Sequence, residues 1–246
     1  MFRLAAVWCT VALALAGTAC DPPSPMRPGG VDDGELSINV LQNPSSDPDP
    51  PDENSRVLLR DVVVTAVDDY DEDGEGRIGN VWVAEPAGGA WSGIQLFDPV
   101  VIPSRARLVP GDIVEVTGTF DEYAYLVDDT DALTELSAAS VQKTGETLPP
   151  TATVIPESDL TDRGRAEPWE GCLVRIENVD LTGPYDEYGE TSTAGGVIIA
   201  GDLFEIPGAA AGMHFRSLTG IVTYFRPATF LLGVMFLPRG TQDLEP

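Results

Sequence analysis

The chain has 246 residues, of which 40 are acidic and 14 basic, and a formal net charge of −26 at pH 7. A chain this acidic repels the phosphate backbone of nucleic acids, so its charge disfavours nucleic-acid binding and raises the prospect of divalent cations or basic partners. The alternative, which the composition favours over both, is that the charge serves the solubility of a surface-displayed protein. Its length and its 43% hydrophobic residues suffice for one large or two small folded domains.

The N-terminus has the layout of a targeting segment. Arg3 precedes an apolar run over residues 4–16, and three small residues lead to Cys20. The run is too short to span a membrane. The layout resembles the lipobox of bacterial lipoproteins, which implies a signal peptide at residues 1–19, a lipid on Cys20, export, and a membrane anchor in the cell envelope. The alternative is an ordinary secretory signal, which would leave Cys20 without lipid.

Residues 21–55 hold eight prolines and eight acidic residues against one basic residue, Arg27. Such a composition buries little apolar surface and stays extended and solvated. It predicts a disordered Pro/Asp-rich tether at residues 20–35 and a flexible stretch at residues 43–55.

The rest of the chain is dominated by strand patterns, in which apolar and polar residues alternate between glycine and proline turns. The exception is residues 131–141, where the apolar spacing predicts a short helix. The predicted fold class is therefore all-β. The predicted strands lie at residues 57–67, 80–84, 93–97 and 113–120.

The second half of the body repeats the first. Residues 58–75 and 173–190, aligned without a gap, are identical at 8 of 18 positions. Residues 111–118 are echoed by residues 212–220, and each copy ends in Thr-Gly. Two tandem modules explain this pattern. Because prolines interrupt it near residue 149, the predicted modules are residues 36–148 and residues 149–246.

The strand-and-turn patterns of the modules lie in the segments Val62–Val67, Val81–Val83, Gly93–Phe97, Pro110–Phe120, Glu170–Val174, Phe215–Tyr224 and Leu237–Arg239. They resemble the OB-fold domains attached to secreted bacterial nucleases, with the nuclease domain missing. The resemblance implies two tandem Greek-key β-barrels, a short lead-in strand at residues 37–44, and nucleic-acid binding as one alternative function.

An acidic turn predicts a calcium site. Asp69, Asp71 and Asp73 alternate ahead of a glycine, and Glu75 follows. Calcium prefers six to eight hard oxygen ligands, which alternating carboxylates in a bent loop can supply. Helices and the bidentate glutamate of an EF-hand are missing, so the loop would sit on a β-hairpin. The alternative is a solvated turn.

The sequence offers no catalytic machinery. His214 is the only histidine, on a strand-like segment where packing is more common than catalysis, and Cys172 lies in an apolar run that predicts a buried thiol. Serine-hydrolase, zinc-protease and phosphate-loop motifs are missing from the sequence. We therefore expect a protein that is not an enzyme.

Aromatic residues supply the remaining candidates for a binding surface. Trp91, on a glycine-rich turn, and Tyr123 are the predicted ligand-binding residues, whereas Trp82 and Phe97 are expected to point into the first barrel. The predicted function is a lipid-anchored envelope protein that binds or scaffolds an unknown protein or glycan. The alternative is a calcium-assisted nucleic-acid-binding accessory protein.

Overall fold

The structure is a computed structural model that describes residues 35–69, 78–104, 106–124, 132–226 and 231–246. The described residues belong to one compact unit and are mostly β-structure, which confirms the all-β prediction. None of the described helices is long and apolar enough to cross a membrane. The helices are α1 (Ile38–Gln42) and α2 (Arg163–Ala166), and the strands are β1 (Arg56–Val67), β2 (Val81–Ala84), β3 (Gly93–Leu96), β4 (Val100–Ile102), β5 (Asp112–Tyr123), β6 (Leu133–Glu146), β7 (Thr153–Val154), β8 (Leu173–Asp180), β9 (Glu190–Ser192), β10 (Ile198–Ala200), β11 (His214–Arg226), β12 (Leu231–Leu237) and β13 (Leu244–Glu245).

Five strands of the first half close into a β-barrel. β1 pairs antiparallel with β2 and β5, β2 with β3, and β5 with β6. A parallel pairing of β3 with β6, with Leu96 opposite Leu136, joins the two ends of this sheet. The strand β4 continues along β6 beyond that point. The predicted β-barrel is thus confirmed for the first half.

The barrel interior follows from the alternation in β5. Val114, Val116, Gly118 and Phe120 are buried, while the residues between them are half-buried. Successive side chains of a strand point to opposite faces, so this pattern fills the barrel from one side of the strand. The position of Gly118 is tight, because a Cβ there would lie 3.0 Å from the Cβ of Leu136.

The helix predicted at residues 131–141 is wrong, because residues from Leu133 onward form the strand β6. Its buried residues Leu136, Ala139 and Val141 do not alternate strictly. Ala138 has φ +46°, and the pairing of β6 with β5 shifts register beside it. The bulge adds one residue to the strand, which gives the apolar residues a helix-like spacing in the sequence.

The lead-in strand predicted at residues 37–44 is also corrected, since α1 occupies most of this segment. The side chain of Ser37 caps the helix by accepting a hydrogen bond from the backbone N–H of Val40. Ile38 and Leu41 lie one turn apart and both join the barrel core. In the following stretch, residues 43–55, the backbone N–H of Asn54 donates to the Phe120 carbonyl; its predicted flexibility stays a prediction.

The second half forms a sheet with the strand order β7-β8-β11-β12-β10-β9, with β13 added to β11. β10 and β12 run parallel, as β3 and β6 do in the first half. The edge strand β9 approaches the end of β8 through an antiparallel bridge between Leu181 and Thr193. The sheet encloses its own apolar core, which includes Ile176, Tyr224 and Phe236.

The two halves repeat the same local geometry, two residues out of step with the ungapped alignment. That alignment pairs Leu58 with Leu173, but the strand pairing places Val57 opposite the glycine of one Thr-Gly and Val174 opposite the glycine of the other. A shift of two residues keeps each side chain on its face, so the sequence match survives it. Two pairs of residues in this register share a positive φ: Asn54 and Gly171 at +67° and +68°, and Asp61 and Asn178 at +53° and +56°. Two backbone hydrogen bonds also correspond, from the N–H of Gly111 to the carbonyl of Val64 and from the N–H of Gly212 to the carbonyl of Leu181, both at 2.8 Å.

Candidate binding site

The two halves meet through closely approaching backbones at the start of β3 and of β8. A Cβ on Gly93 would lie 2.2 Å from the carbonyl oxygen of Gly171, so only glycine fits there. Two residues away, the backbone N–H of Trp91 donates to the carbonyl of Pro168 at 2.6 Å. The chain segment that precedes β8 is therefore held against the turn that precedes β3.

An apolar cluster covers the junction. It combines Ala66 and Trp82 of the first half with Leu173, Ile221 and Leu237 of the second. The expectation that Trp82 points into the first barrel is wrong, because this side chain is buried in the junction cluster instead. The expectation that Phe97 points into the first barrel is also wrong, since 52% of this residue is exposed. The alternation of apolar and polar residues along a strand shows which residues share a face. It does not show which face another part of the fold will cover.

Polar contacts extend the junction. Gln95 donates from Nε2 to the buried Glu135 carboxylate at 3.0 Å and accepts from the Thr223 hydroxyl at 3.5 Å. Arg239 donates from Nη1 to the Thr65 carbonyl at 2.9 Å. Each of these buried groups finds a partner across or beside the interface, which fixes the relative position of the two halves.

A cavity of about 590 Å³ opens beside this junction. Its walls come from three stretches that are distant in sequence: the segment after α1, the strands and turns of the first barrel, and the α2 region. One side chain is aromatic, two are carboxylates and one is a guanidinium. The lining residues are Pro44, Trp91, Glu122, Ala132, Arg163, Gly164 and Glu167.

Of the two aromatic residues predicted to bind a ligand, only Trp91 lines the cavity. Its backbone adopts φ +62°, which is uncommon for a residue with a side chain and follows two glycines that also have positive φ. Tyr123 lies at the end of β5 with 38% of its surface exposed and does not line the cavity. The structure thus separates the two candidates.

Arg163 forms part of the cavity wall and is held from several sides. Its Nε lies 3.4 Å from the Glu167 carboxylate, and its Nη2 donates to the Ala132 carbonyl. The guanidinium plane stacks 3.3 Å from the centre of the Tyr224 ring. Such stacking and a near carboxylate hold the charge of an arginine in place. The guanidinium group is therefore held in one position in the cavity wall.

Two glutamates beside Arg163 have raised pKa values. Burial raises the pKa of Glu122 to about 7; a hydrogen bond from Thr134 opposes this, and the carboxylate of Glu167 reinforces it. Glu170 is 2% exposed, and burial raises its pKa well above the usual range, again with a contribution from Glu167. Glu170 accepts from the Thr134 backbone N–H at 2.7 Å, and its other oxygen lies 3.9 Å from Nη2 of Arg163.

The sequence did not single out these charged residues. Glu122, Glu170 and Arg163 come together only because β5, the turn before β8 and α2 pack against one another, and neighbours in sequence carry no sign of it. The only local hint was the segment Trp169-Glu170-Gly171, where a charged residue lies three positions before the buried strand β8.

The predicted calcium site lies mostly outside the described residues, since Asp71, Asp73 and Glu75 fall within residues 70–77. Asp69 is described and lies 3.1 Å from Nη2 of Arg107. Within the described ranges, no three His, Cys, Asp or Glu side chains are grouped so that they could hold a metal. Calcium binding stays a prediction.

The two residues considered for chemistry lie apart from the cavity. Cys172 is buried as predicted, and burial raises the pKa of its thiol. His214 is about half exposed, with Nδ1 at 2.9 Å from Oδ1 of Asp180. Neither residue lines the cavity, whose lining combines one aromatic side chain with two carboxylates and a guanidinium.

Comparisons of the chain with protein-family models, with curated proteins and with solved structures find no match. The function is therefore argued from the geometry of the cavity and the junction.

Proposed function

We propose that the protein is a lipid-anchored binding protein of the bacterial cell envelope, without catalytic activity, built from two tandem OB-like barrels. The closed ring β1-β2-β3-β6-β5, with its parallel contact between β3 and β6, supports an OB-like first module. The second sheet joins its corresponding strands in the same order and repeats the positive-φ positions. These repeats support a second module of the same kind.

The covered barrel surface argues against the nucleic-acid alternative. OB-folds bind oligonucleotides on the face of their second and third strands. The residues of the first module that would face such a ligand, Trp82 on β2 and Gln95 on β3, are buried at the junction instead. The net charge of −26 further opposes a phosphate backbone.

The observation that carries the proposal is the cavity lined by Trp91, Glu122 and Arg163. Ligand pockets are typically about 300–1,000 Å³ in volume and carry a few placed polar groups, and this cavity of about 590 Å³ combines such groups with one aromatic residue. We assign it as the place where a protein or glycan of the cell envelope binds. The anchor at Cys20 would hold it at the membrane.

The lipid anchor is tested by metabolic labelling. In bacteria that express the full chain and are fed radiolabelled palmitate, the wild type is expected to incorporate label, and Cys20→Ala to lose it completely. Cys172→Ala is the matched control and should keep the label, because this thiol is buried. Label that persists in Cys20→Ala would contradict the proposed anchor.

Binding in the cavity is tested by calorimetry on the detergent-extracted protein, with soluble peptidoglycan fragments and a basic peptide as probes. For the probe that binds, Trp91→Ala should weaken the affinity about threefold to tenfold or more, since a cation on an aromatic face contributes about 0.5–2 kcal/mol. Tyr123→Ala should leave the affinity unchanged, because Tyr123 lies outside the cavity. Equal effects of the two substitutions, or binding of neither probe, would refute the proposed site.

A further inference from the structure

The charges of the cavity wall do not balance. Arg163 lies next to two carboxylates, with Glu167 at 3.4 Å and Glu170 at 3.9 Å. Burial raises the pKa of Glu170 well above the usual range, which disfavours its charged form. The charge of Arg163 is then matched by the carboxylate of Glu167, so Arg163 does not balance the charge of the Glu122 carboxylate.

Glu122 lacks a cationic neighbour among the described residues, where no arginine or lysine makes an ion pair with it. Its printed contacts are with the hydroxyl of Thr134, at 3.1 and 3.2 Å. Buried carboxylates are stabilised by a nearby positive charge, and a site that lacks one favours a ligand that brings it.

We propose that the cavity takes the guanidinium or ammonium end of an arginine or lysine side chain, presented by a basic segment of a partner protein. This inference rests on the proposed function of the cavity and names its ligand. Trp91 and Glu122 line the same cavity, so an aromatic side chain and an opposite charge are both available to the cation.

The dimensions and the charge of the whole protein agree with a basic peptide segment. About 590 Å³ exceeds the volume of one side chain, so two or three residues of an extended segment can enter. The net charge of −26 attracts a basic partner from a distance and speeds its association. A neutral sugar would gain nothing from this charge.

The groups around Glu122 determine the pH dependence of binding. Burial and the carboxylates of Glu167, Glu53 and Asp121 disfavour its ionisation, and the Thr134 hydroxyl favours it. Glu170 accepts from the backbone N–H of the same Thr134, and Arg163 on α2 is held by Glu167. The pKa of Glu122 is about 7, so the residue is mostly protonated at pH 6 and mostly ionised at pH 8. Because a cation binds the ionised form better, affinity should rise with pH.

The experiment compares two capped peptides by calorimetry on the detergent-extracted protein, Gly-Arg-Gly-Arg-Gly and its analogue with neutral citrulline in place of arginine. We expect the arginine peptide to bind about tenfold more tightly at pH 8 than at pH 6, and the citrulline peptide to bind at least tenfold more weakly at pH 8. Glu122→Gln should weaken binding of the arginine peptide at pH 8 and abolish the pH dependence. Glu177→Gln, on the exposed side of β8, is the control and should change neither.

The outcomes separate the two proposals. If both peptides bind equally and Trp91→Ala still weakens their binding, the proposed cationic ligand is wrong and the cavity remains the binding site. Binding of peptidoglycan fragments alone would do the same in favour of a glycan. Binding of no probe would overturn both proposals.

Discussion

Replacement of Gly171 by alanine is expected to destabilise the protein by at least about 3 kcal/mol. Its backbone has φ +68°, a left-handed conformation that costs a residue with a side chain about 1–2 kcal/mol. A Cβ at this position would also lie 2.7 Å from the backbone carbon of Gly93 and from the backbone nitrogen of Ile94. Backbone atoms on both sides cannot yield without separating the two halves, so the clash adds to the conformational cost.

Gly208→Ala is the matched control, because Gly208 has φ +70° but no atom within 4 Å of the added Cβ. It should cost only the conformational part, about 1–2 kcal/mol. Urea unfolding of both variants, followed by circular dichroism, measures the difference. If the two variants lose the same stability, the tight approach of Gly93 and Gly171 contributes nothing, and the junction is looser than the structure indicates.

Gly171 also illustrates what the sequence could and could not reveal. Its counterpart in the first half is Asn54, with nearly the same positive φ, and asparagine is one of the residues that tolerate this conformation best. The need for a left-handed residue was thus visible as a glycine before a strand. The sequence did not show that a side chain must be absent here, because that requirement comes from the close approach of Gly93 in the other half.

Strand patterns were sufficient for the first barrel, since the alternation in residues 113–120 reports a side-chain period of two directly. The pattern misled where a bulge intervened, at Ala138, and where a capped turn of helix replaced an extended lead-in, after Ser37. In both places one residue changes the local backbone without changing the composition of the segment.

The binding site was harder to predict, because its residues are distant in sequence. Trp91 was identifiable as an aromatic residue on a glycine-rich turn. Its cavity exists because the α2 segment, which carries Arg163 and Glu167, lies near that turn, and because Thr134 bridges Glu122 to Glu170. None of these contacts leaves a periodic signal, so the sequence supplied the aromatic residue and the fold supplied the charges.

Glu135 leads to the second large expected effect, a loss of stability as pH rises. It is 4% exposed in β6 and accepts a hydrogen bond from Gln95 at 3.0 Å. Burial raises its pKa to about 7 from an ordinary 4.5; the hydrogen bond from Gln95 lowers it, and nearby Asp121 raises it. A carboxyl whose pKa is raised by folding stabilises the folded state fully below about pH 4.5, and this contribution is lost as the pH rises to about 7.

We therefore expect Glu135→Gln to match the wild type near pH 4.5 and to exceed its stability by about 3 kcal/mol at pH 8, because the glutamine keeps the acceptor for Gln95 and carries no buried charge. Glu122 and Glu170 are ionisable in both proteins, so the difference isolates Glu135. Urea unfolding at several pH values measures it, with the exposed Glu177→Gln as a control that should stay within about 0.5 kcal/mol of wild type throughout. A constant difference between Glu135→Gln and wild type across this range would show that folding does not raise the pKa of Glu135, which would then be ionised in the folded junction at neutral pH. The carboxylate of Glu135, which accepts from Gln95 beside Thr223, would then be charged rather than neutral.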